Sequence, residues 1–225
     1  MPTPAQPDAI FDFDGVLADS VPLIVQILDR LLRLERNLPL TDAQLRATVG
    51  PPFRGAVAHL CSLTDLSPDD STVDELVEAF RSEYAVRAPA ETPMVPGIAT
   101  VLAELQQTHR LTICSSKPRP LVEGILATWN AASWFAAVEA PSPNSDEPKT
   151  VGLTRLIAEL SMNPEQSTLI GDTRFDIDAA RAVGIRCIGV AWGVATADDL
   201  LRGGAEAIAN HPAELAALLT TANTR

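Results

Sequence analysis

Short apolar runs separated by helix-like stretches constrain the fold of this chain more than any other feature. The strand-like runs are residues 9–13, 110–115, 167–171 and 186–190, with a weaker one at 135–138. Residues 97–108 and 150–160 carry apolar side chains every three or four positions, which indicates amphipathic helices. Strands that alternate with helices predict a parallel sheet with helices on both faces. The sequence therefore predicts a doubly wound α/β fold.

A helical insertion interrupts this alternation after the first strand. Its predicted helical segments are residues 21–35, 41–48, 53–63 and 72–87. The Pro/Gly cluster at 94–97 is typical of a hinge at which the chain returns to the sheet. We expect two units: a core formed by residues 1–19 and 91–225, and an α-helical cap domain formed by residues 20–90.

Two carboxylates stand at the end of the first apolar run. Because side chains alternate along a strand, Asp12 and Asp14 leave on one side, and Phe11 and Phe13 leave on the other. Two negative charges held so close together repel each other. A divalent cation or a shared proton would compensate for this repulsion.

Polar groups follow other predicted strands as well, and open parallel sheets bind ligands beyond the carboxyl ends of their strands. These groups are Ser115, Ser116 and Lys117 after the second run, and Gly171, Asp172 and Asp176 after residues 167–171. Taken singly, each group also fits a helix cap or a tight turn. Together they supply carboxylates for a metal, donors for an anion and a cation, and this combination suits phosphoryl transfer.

The lysines are informative because the chain uses arginine almost everywhere else. Lys117 and Lys149 are the only lysines among 17 basic residues. A compact point charge at these two positions is one explanation, and chance is the other. Lys117 follows the second run, and Lys149 precedes the helix that leads to residues 167–171, so both are candidates for the cation of the predicted site.

The bulk composition excludes some partners. The net charge of −12 argues against nucleic acid and anionic membranes. No apolar run has the length of a membrane span, and no secretory signal is evident at the N-terminus. Three dispersed cysteines favour reduced thiols, so we expect a cytoplasmic protein.

At these residues the chain resembles the haloacid dehalogenase superfamily of phosphohydrolases, in particular its phosphoglycolate phosphatase-like branch. Four ordered motifs carry the resemblance over essentially the whole chain: the Asp12–Leu17 segment, Ser115, Lys149, and Gly171-Asp172 with Asp176. The resemblance implies a Rossmann-like core in which residues 20–90 form the cap. Lys149 departs from the pattern of the family, since Pro148 precedes it and Thr150 follows it, where the family often has proline after this lysine.

The resemblance also implies roles for individual residues. Asp12 would be the nucleophile, and Asp14 would be the acid/base group that begins the cycle protonated. Mg²⁺ would bind the carboxylates of Asp12 and Asp172 and the backbone carbonyl of Asp14, with Asp176 orienting these ligands. Ser115, Ser116 and Lys149 would bind the phosphoryl group, and Arg54 would reach from the cap to the organic part of the substrate or remain an exposed helix-start arginine.

The expected activity is Mg²⁺-dependent hydrolysis of a small phosphorylated metabolite, of the phosphoglycolate or sugar-phosphate type. Asp14 argues against dehalogenation, since a halide leaves without protonation. A phosphomutase of the β-phosphoglucomutase type is the alternative, and a non-catalytic binding protein is a further one. The expected state is a monomer or a homodimer.

Overall fold

The computed structural model describes residues 6–66, 69–143, 145 and 147–221. Its strands are β1 (Asp8–Phe11), β2 (Arg110–Cys114), β3 (Ala137–Glu139), β4 (Ser167–Gly171), β5 (Arg186–Val190) and β6 (Ala207–Ala209). Its α-helices are α1 (Val21–Leu28), α2 (Asp42–Arg46), α3 (Phe53–Ser62), α4 (Asp70–Glu91), α5 (Ile98–Leu105), α6 (Arg119–Thr128), α7 (Lys149–Glu159), α8 (Arg174–Val183), α9 (Ala197–Gly203) and α10 (Leu215–Thr221). A π-helical segment, Asp29–Leu34, continues α1.

The strands form one parallel sheet in the order β3-β2-β1-β4-β5-β6. Chain connections run outward in both directions from the boundary between β1 and β4, so the strand order reverses there. A crevice opens beyond the carboxyl ends of the strands at such a reversal, and this is where open α/β sheets bind ligands. Asp12 follows β1 and Asp172 follows β4, so both residues lie at this point.

Helices cover both faces of the sheet, as the sequence predicts. Alternate side chains of β1 show the division: Phe11 packs with the apolar residues of α5, α6 and α10, whereas Ile10 packs with those of α7, α8 and α9. Both residues are fully buried. Because the central strands are covered on both faces, their sequences are mostly apolar rather than alternating.

The insertion between β1 and β2 contains α1 to α4, and its two connections to the sheet lie side by side. Asp19 donates its backbone N–H to the carbonyl of Pro93, and Val95 donates to the carbonyl of Leu17. Ala18 and Met94 form an antiparallel bridge between the same two connections. The chain therefore leaves the sheet and returns to it through one short, hydrogen-bonded pair of segments.

The predicted fold class is confirmed, with differences at the element ends. The strand predicted at 135–138 is β3, Ala137–Glu139, and the predicted helix at 21–35 is α1 followed by its π-helical segment. The sequence analysis missed β6, which has only three residues and is too short to show a pattern. Within the described residues, no helix combines the length and the apolar character that a membrane crossing requires.

Candidate active site

Three buried carboxylates converge beyond β1 and β4. Asp12, Asp172 and Asp176 each offer an oxygen within 4.8 Å of the others. Asp12 is 6% exposed, and the other two side chains are fully buried. Carboxylates in such a dry cluster repel each other strongly unless a cation is present.

Lys149 supplies one cation to this cluster. It is the first residue of α7, and its Nζ lies 2.8 Å from Oδ1 of Asp12 and donates a second hydrogen bond to Oδ1 of Asp176. Burial alone would lower the pKa of Lys149, but the attraction of Asp12 and Asp176 outweighs it, and the pKa is raised. Lys149 therefore remains an ammonium group, and one positive charge faces three carboxylates.

The excess negative charge of the cluster affects the pKa values of its carboxyl groups. Burial raises the pKa of Asp12 to about 7 with the help of the Asp176 charge, although Lys149 opposes the increase. Burial also raises the pKa of Asp172 well above its usual value, and the charges of Asp176 and Asp12 add to this effect. Both groups therefore need a further positive charge if they are to ionise together near neutral pH.

The hydrogen bonding of Asp172 indicates where that charge fits. Oδ2 of Asp172 accepts a hydrogen bond from the backbone N–H of Val194 at 2.8 Å, whereas the buried Oδ1 has no protein partner. Buried carboxylate oxygens are normally satisfied. An oxygen-rich cluster with an unpartnered carboxylate oxygen suits a hard divalent cation such as Mg²⁺.

Two glycines from distant parts of the chain make room for Asp172. Gly15 has a φ of +76°, and a Cβ there would lie 2.1 Å from Oδ2 of Asp172. A Cβ at Gly193 would lie 2.3 Å from the same oxygen. The loops after β1 and β5 can therefore close on this carboxylate only because neither position has a side chain.

Asp176 is held in place by the start of α8. Its Oδ2 accepts hydrogen bonds from the backbone N–H and the hydroxyl of Thr173, which forms a capping box at this helix. The local capping that the sequence suggests for this segment is therefore present. The same carboxylate uses its other oxygen to bind Lys149, so the helix start fixes the ammonium group next to Asp12.

Asp14 is paired with a second lysine. Nζ of Lys117 lies 2.7 and 2.8 Å from the two carboxylate oxygens of Asp14, and it also donates to the hydroxyl of Tyr84 at 2.7 Å. The Lys117 side chain is only 3% exposed. This arrangement places an ammonium group against Asp14, whereas the resemblance implies that Asp14 starts the cycle protonated.

Sequence reasoning gave Tyr84 no role, and it singled out Lys117 only through the scarcity of lysine. Tyr84 lies on α4, at a position that fits the apolar stripe of that helix, so its spacing signals only a core residue. Its ring also faces the ammonium group of Lys117 at 4.5 Å. Tyr84 therefore connects the insertion to a residue at the carboxyl end of β2.

The two serines after β2 lie beside this group. Ser115 is buried, donates its N–H to the carbonyl of Glu139, and accepts a hydrogen bond on Oγ from the N–H of Lys117 at 3.1 Å. Ser116 lines a cavity between the strand ends and the insertion. The hydroxyl of Ser115 thus shapes the turn that presents Lys117.

Arg54 lies away from these groups. Its guanidinium donates to Asp70 and Asp74 of α4, at 2.8 Å in each case. It is not among the described residues that line the cavity, although its neighbour Phe53 is. In this arrangement Arg54 joins two helices of the insertion, and its expected contact with substrate stays a prediction.

A cavity of about 360 Å³ lies between the strand ends and the insertion. Asp14, Lys117 and Lys149 line its sheet side, and residues of α1, α3 and α4 line the opposite side. Its volume lies near the lower end of the range for small-molecule sites. The carboxylate cluster is therefore next to a space that fits a small substrate.

Comparison with known proteins agrees with this geometry. The model of the haloacid dehalogenase-like hydrolase family matches residues 9–190. Phosphoglycolate phosphatase of Agrobacterium fabrum is 28% identical over 84% of this chain and 82% of its own length. Tyrosine-protein kinase PtkA of Mycobacterium tuberculosis is 30% identical over 84% of this chain, which spans 63% of that protein.

A solved structure gives the same assignment. A haloacid dehalogenase-like family hydrolase of Streptococcus pneumoniae has a TM-score of 0.83 and 28% identity, and the match covers 95% of this chain and 98% of that one. The fold, the order of the motifs and the family match agree. The chain belongs to the haloacid dehalogenase-like hydrolase family.

Proposed function

We propose that this protein is a Mg²⁺-dependent phosphatase that hydrolyses a small phosphomonoester through an aspartyl-phosphate on Asp12. The observation that carries the proposal is the buried cluster of Asp12, Asp172 and Asp176, with Lys149 bound to two of its members. The cluster lies at the reversal of strand order, and Lys149, which binds it, lines a cavity of small-molecule size. Phosphoryl transfer needs this combination of positioned charges and a nucleophile.

The cation would be held by the carboxylates of Asp12 and Asp172 and by the backbone carbonyl of Asp14. The unpartnered Oδ1 of Asp172 supports this assignment. Asp176 would orient Lys149 and the ligands through its contacts at the start of α8. When bound, Mg²⁺ supplies positive charge that offsets the repulsion between the carboxylates and a phosphate dianion.

Each residue of the site then has its own role in the reaction. Asp12 attacks phosphorus, and the bond from phosphorus to the leaving oxygen breaks. Lys149 neutralises charge on Asp12 and on the transferred group, while Ser115 and Ser116 donate hydrogen bonds to the phosphoryl oxygens. Water subsequently cleaves the acyl phosphate and releases inorganic phosphate.

Asp14 moves the protons in both halves of this cycle. It protonates the leaving oxygen first and later takes a proton from the attacking water. The ion pair with Lys117 positions Asp14 for the second of these steps. For the first step, entry of the substrate would loosen this pair so that Asp14 can carry a proton to the leaving oxygen.

Release of phosphate from p-nitrophenyl phosphate tests the proposal directly. We expect turnover that requires Mg²⁺ and falls by at least about a thousandfold in Asp12→Asn. The exposed Asp65, in the loop after α3, offers a matched control, and Asp65→Asn should behave as the wild type. Equal rates in wild type and Asp12→Asn, or turnover that is indifferent to Mg²⁺, would rule the proposal out.

The substrates to assay first follow from the relatives. Several carry the name phosphoglycolate phosphatase, which makes phosphoglycolate and sugar phosphates the first candidates. Acetyl phosphate belongs in the same panel because its acyl leaving group needs no protonation and little binding. Its hydrolysis therefore reports the chemistry at Asp12 independently of how the organic part is recognised.

A further inference from the structure

The walls of the cavity differ from what a polar substrate requires. Six large apolar side chains line it, from the insertion and from the core helices: Ile24, Val49, Phe53, Phe80, Leu121 and Phe175. Phe175 is 39% exposed, although it is a large apolar residue. Phe175 therefore adds accessible apolar surface to the cavity lining.

Three aromatic rings pack in series on the insertion side of the cavity. The ring centroids of Phe53 and Phe80 are 4.3 Å apart, and those of Phe80 and Tyr84 are 5.3 Å apart. This series of rings leads from α3 to Lys117 and therefore toward Asp14. A planar apolar group bound next to the phosphate would lie against these rings.

Several polar side chains of the lining are already engaged within the protein. The hydroxyl of Thr48 donates to the carbonyl of Leu45 at 2.7 Å. Glu147 is paired with Arg155, and Asp178 is paired with Arg181. Recognition of a sugar needs several convergent groups that can exchange hydrogen bonds with hydroxyls, and these three side chains already have partners within the protein.

We propose that this site takes a phosphomonoester whose alcohol carries an apolar, aromatic group, in preference to phosphoglycolate or a sugar phosphate. The inference rests on the proposed phosphatase function and names the substrate class for that same site. The phosphate would lie at Asp12 and Lys149, and the organic group would extend along Phe53 and Phe80. Arg81 also lines the cavity, and its charge would favour a substrate with an anionic organic part. The test therefore compares an aromatic with an anionic phosphomonoester.

Benzyl phosphate and phosphoglycolate make a suitable comparison. Both release an alcohol, so their ratio reports recognition of the organic part more than the quality of the leaving group. We expect kcat/KM for benzyl phosphate to exceed that for phosphoglycolate by at least about tenfold. Ethyl phosphate, which is small and uncharged in its organic part, should fall well below benzyl phosphate.

Variants at the cavity wall and away from it sharpen the comparison. Phe53→Ala should lower kcat/KM for benzyl phosphate about tenfold more than it lowers kcat/KM for acetyl phosphate. Leu63 follows the same helix, is 45% exposed and does not line the cavity, so Leu63→Ala should leave both rates unchanged. Retained acetyl phosphate turnover in Phe53→Ala shows that the variant is folded.

Binding of stable phosphonates separates this inference from the phosphatase proposal. Phenethylphosphonate and phosphonopropionate mimic the two substrates, and calorimetry with Mg²⁺ present should show tighter binding of the first. If acetyl phosphate is hydrolysed through Asp12 but phosphoglycolate is preferred over benzyl phosphate, the inference is wrong and the proposed function stands. If no phosphate ester is hydrolysed, the proposed function fails, and equal or weaker binding of phenethylphosphonate overturns the inference as well.

Discussion

A single tyrosine connects the insertion to the Asp14 end of the site. Tyr84 accepts a hydrogen bond from Lys117, and Lys117 binds both oxygens of Asp14. Any movement of α4 would therefore alter the environment of Asp14 through one buried ammonium group. The charge that stabilises Asp14 thus depends on the position of the insertion as well as on the sheet.

The phenol of Tyr84 should titrate abnormally. Burial raises its pKa, and the charge of Lys117 opposes burial without overcoming it. Because the chain contains one tyrosine, an ultraviolet difference titration reports this group alone. An exposed tyrosine has a pKa of about 10. We expect Tyr84 to ionise at a higher pH than that.

Two controls accompany this titration. The urea-unfolded protein should ionise at the ordinary pH, and Tyr84→Phe should abolish the signal. Circular dichroism at each pH establishes that the protein is still folded. An ordinary titration in the folded state would contradict the buried position of the phenol.

At the scale of elements, α3 and α4 are joined by ion pairs at the surface of the insertion. Arg54 contacts Asp70 and Asp74, whose side chains are 92% and 63% exposed. Water and salt screen such pairs, so they add little to stability. Their effect is to turn the guanidinium away from the cavity.

The role of Arg54 can be decided by one substitution. Arg54→Met should leave kcat/KM for phosphomonoesters unchanged and alter the Tm only slightly, because the side chain lies outside the cavity lining. Steady-state kinetics with the substrate panel above provide the measurement. A large increase in KM with an unchanged Tm would instead support the substrate contact that the resemblance implies.

The elements of the core were predictable because each buried strand is a short apolar run next to a helix-periodic stretch. β1, β2, β4 and β5 follow that pattern, whereas β6 is three residues long and carries no periodic signal. The convergence of Asp12 with Asp172 follows from parallel strands that end at one edge. The contact between Tyr84 and Lys117 could not be predicted, since it depends on how α4 packs over the sheet and not on any local spacing.

At the scale of the whole molecule, the carboxylate cluster costs stability when no cation accompanies it. The folded-state pKa of Asp12 is about 7, above the value of about 3.9 expected for an unfolded chain. Between these values the folded protein binds a proton that the unfolded protein has lost. The contribution of Asp12 to the free energy of unfolding is therefore complete below pH of about 4 and is lost as the pH rises through about 7.

Urea unfolding in the presence of a chelator should show this loss of stability between about pH 4 and pH 7. Asp12→Asn should reduce the loss, since the amide does not titrate. Mg²⁺ should restore stability at the higher pH, by about 2.7 kcal/mol at a concentration one hundred times its Kd. If Mg²⁺ leaves the unfolding midpoint unchanged, the cluster does not bind this cation.

The glycines that face Asp172 affect how this chain and its relatives should be compared. Gly15 and Gly193 are far apart in sequence, and each leaves space that the same carboxylate oxygen occupies. A methyl group at either position would displace Asp172 while every charged residue of the four motifs stayed in place. A relative with alanine at one of these positions would thus keep every charged residue of the family motifs and still lack the geometry of the site. When relatives are compared, glycine at these two positions is therefore as informative about the geometry of the site as the acidic residues are.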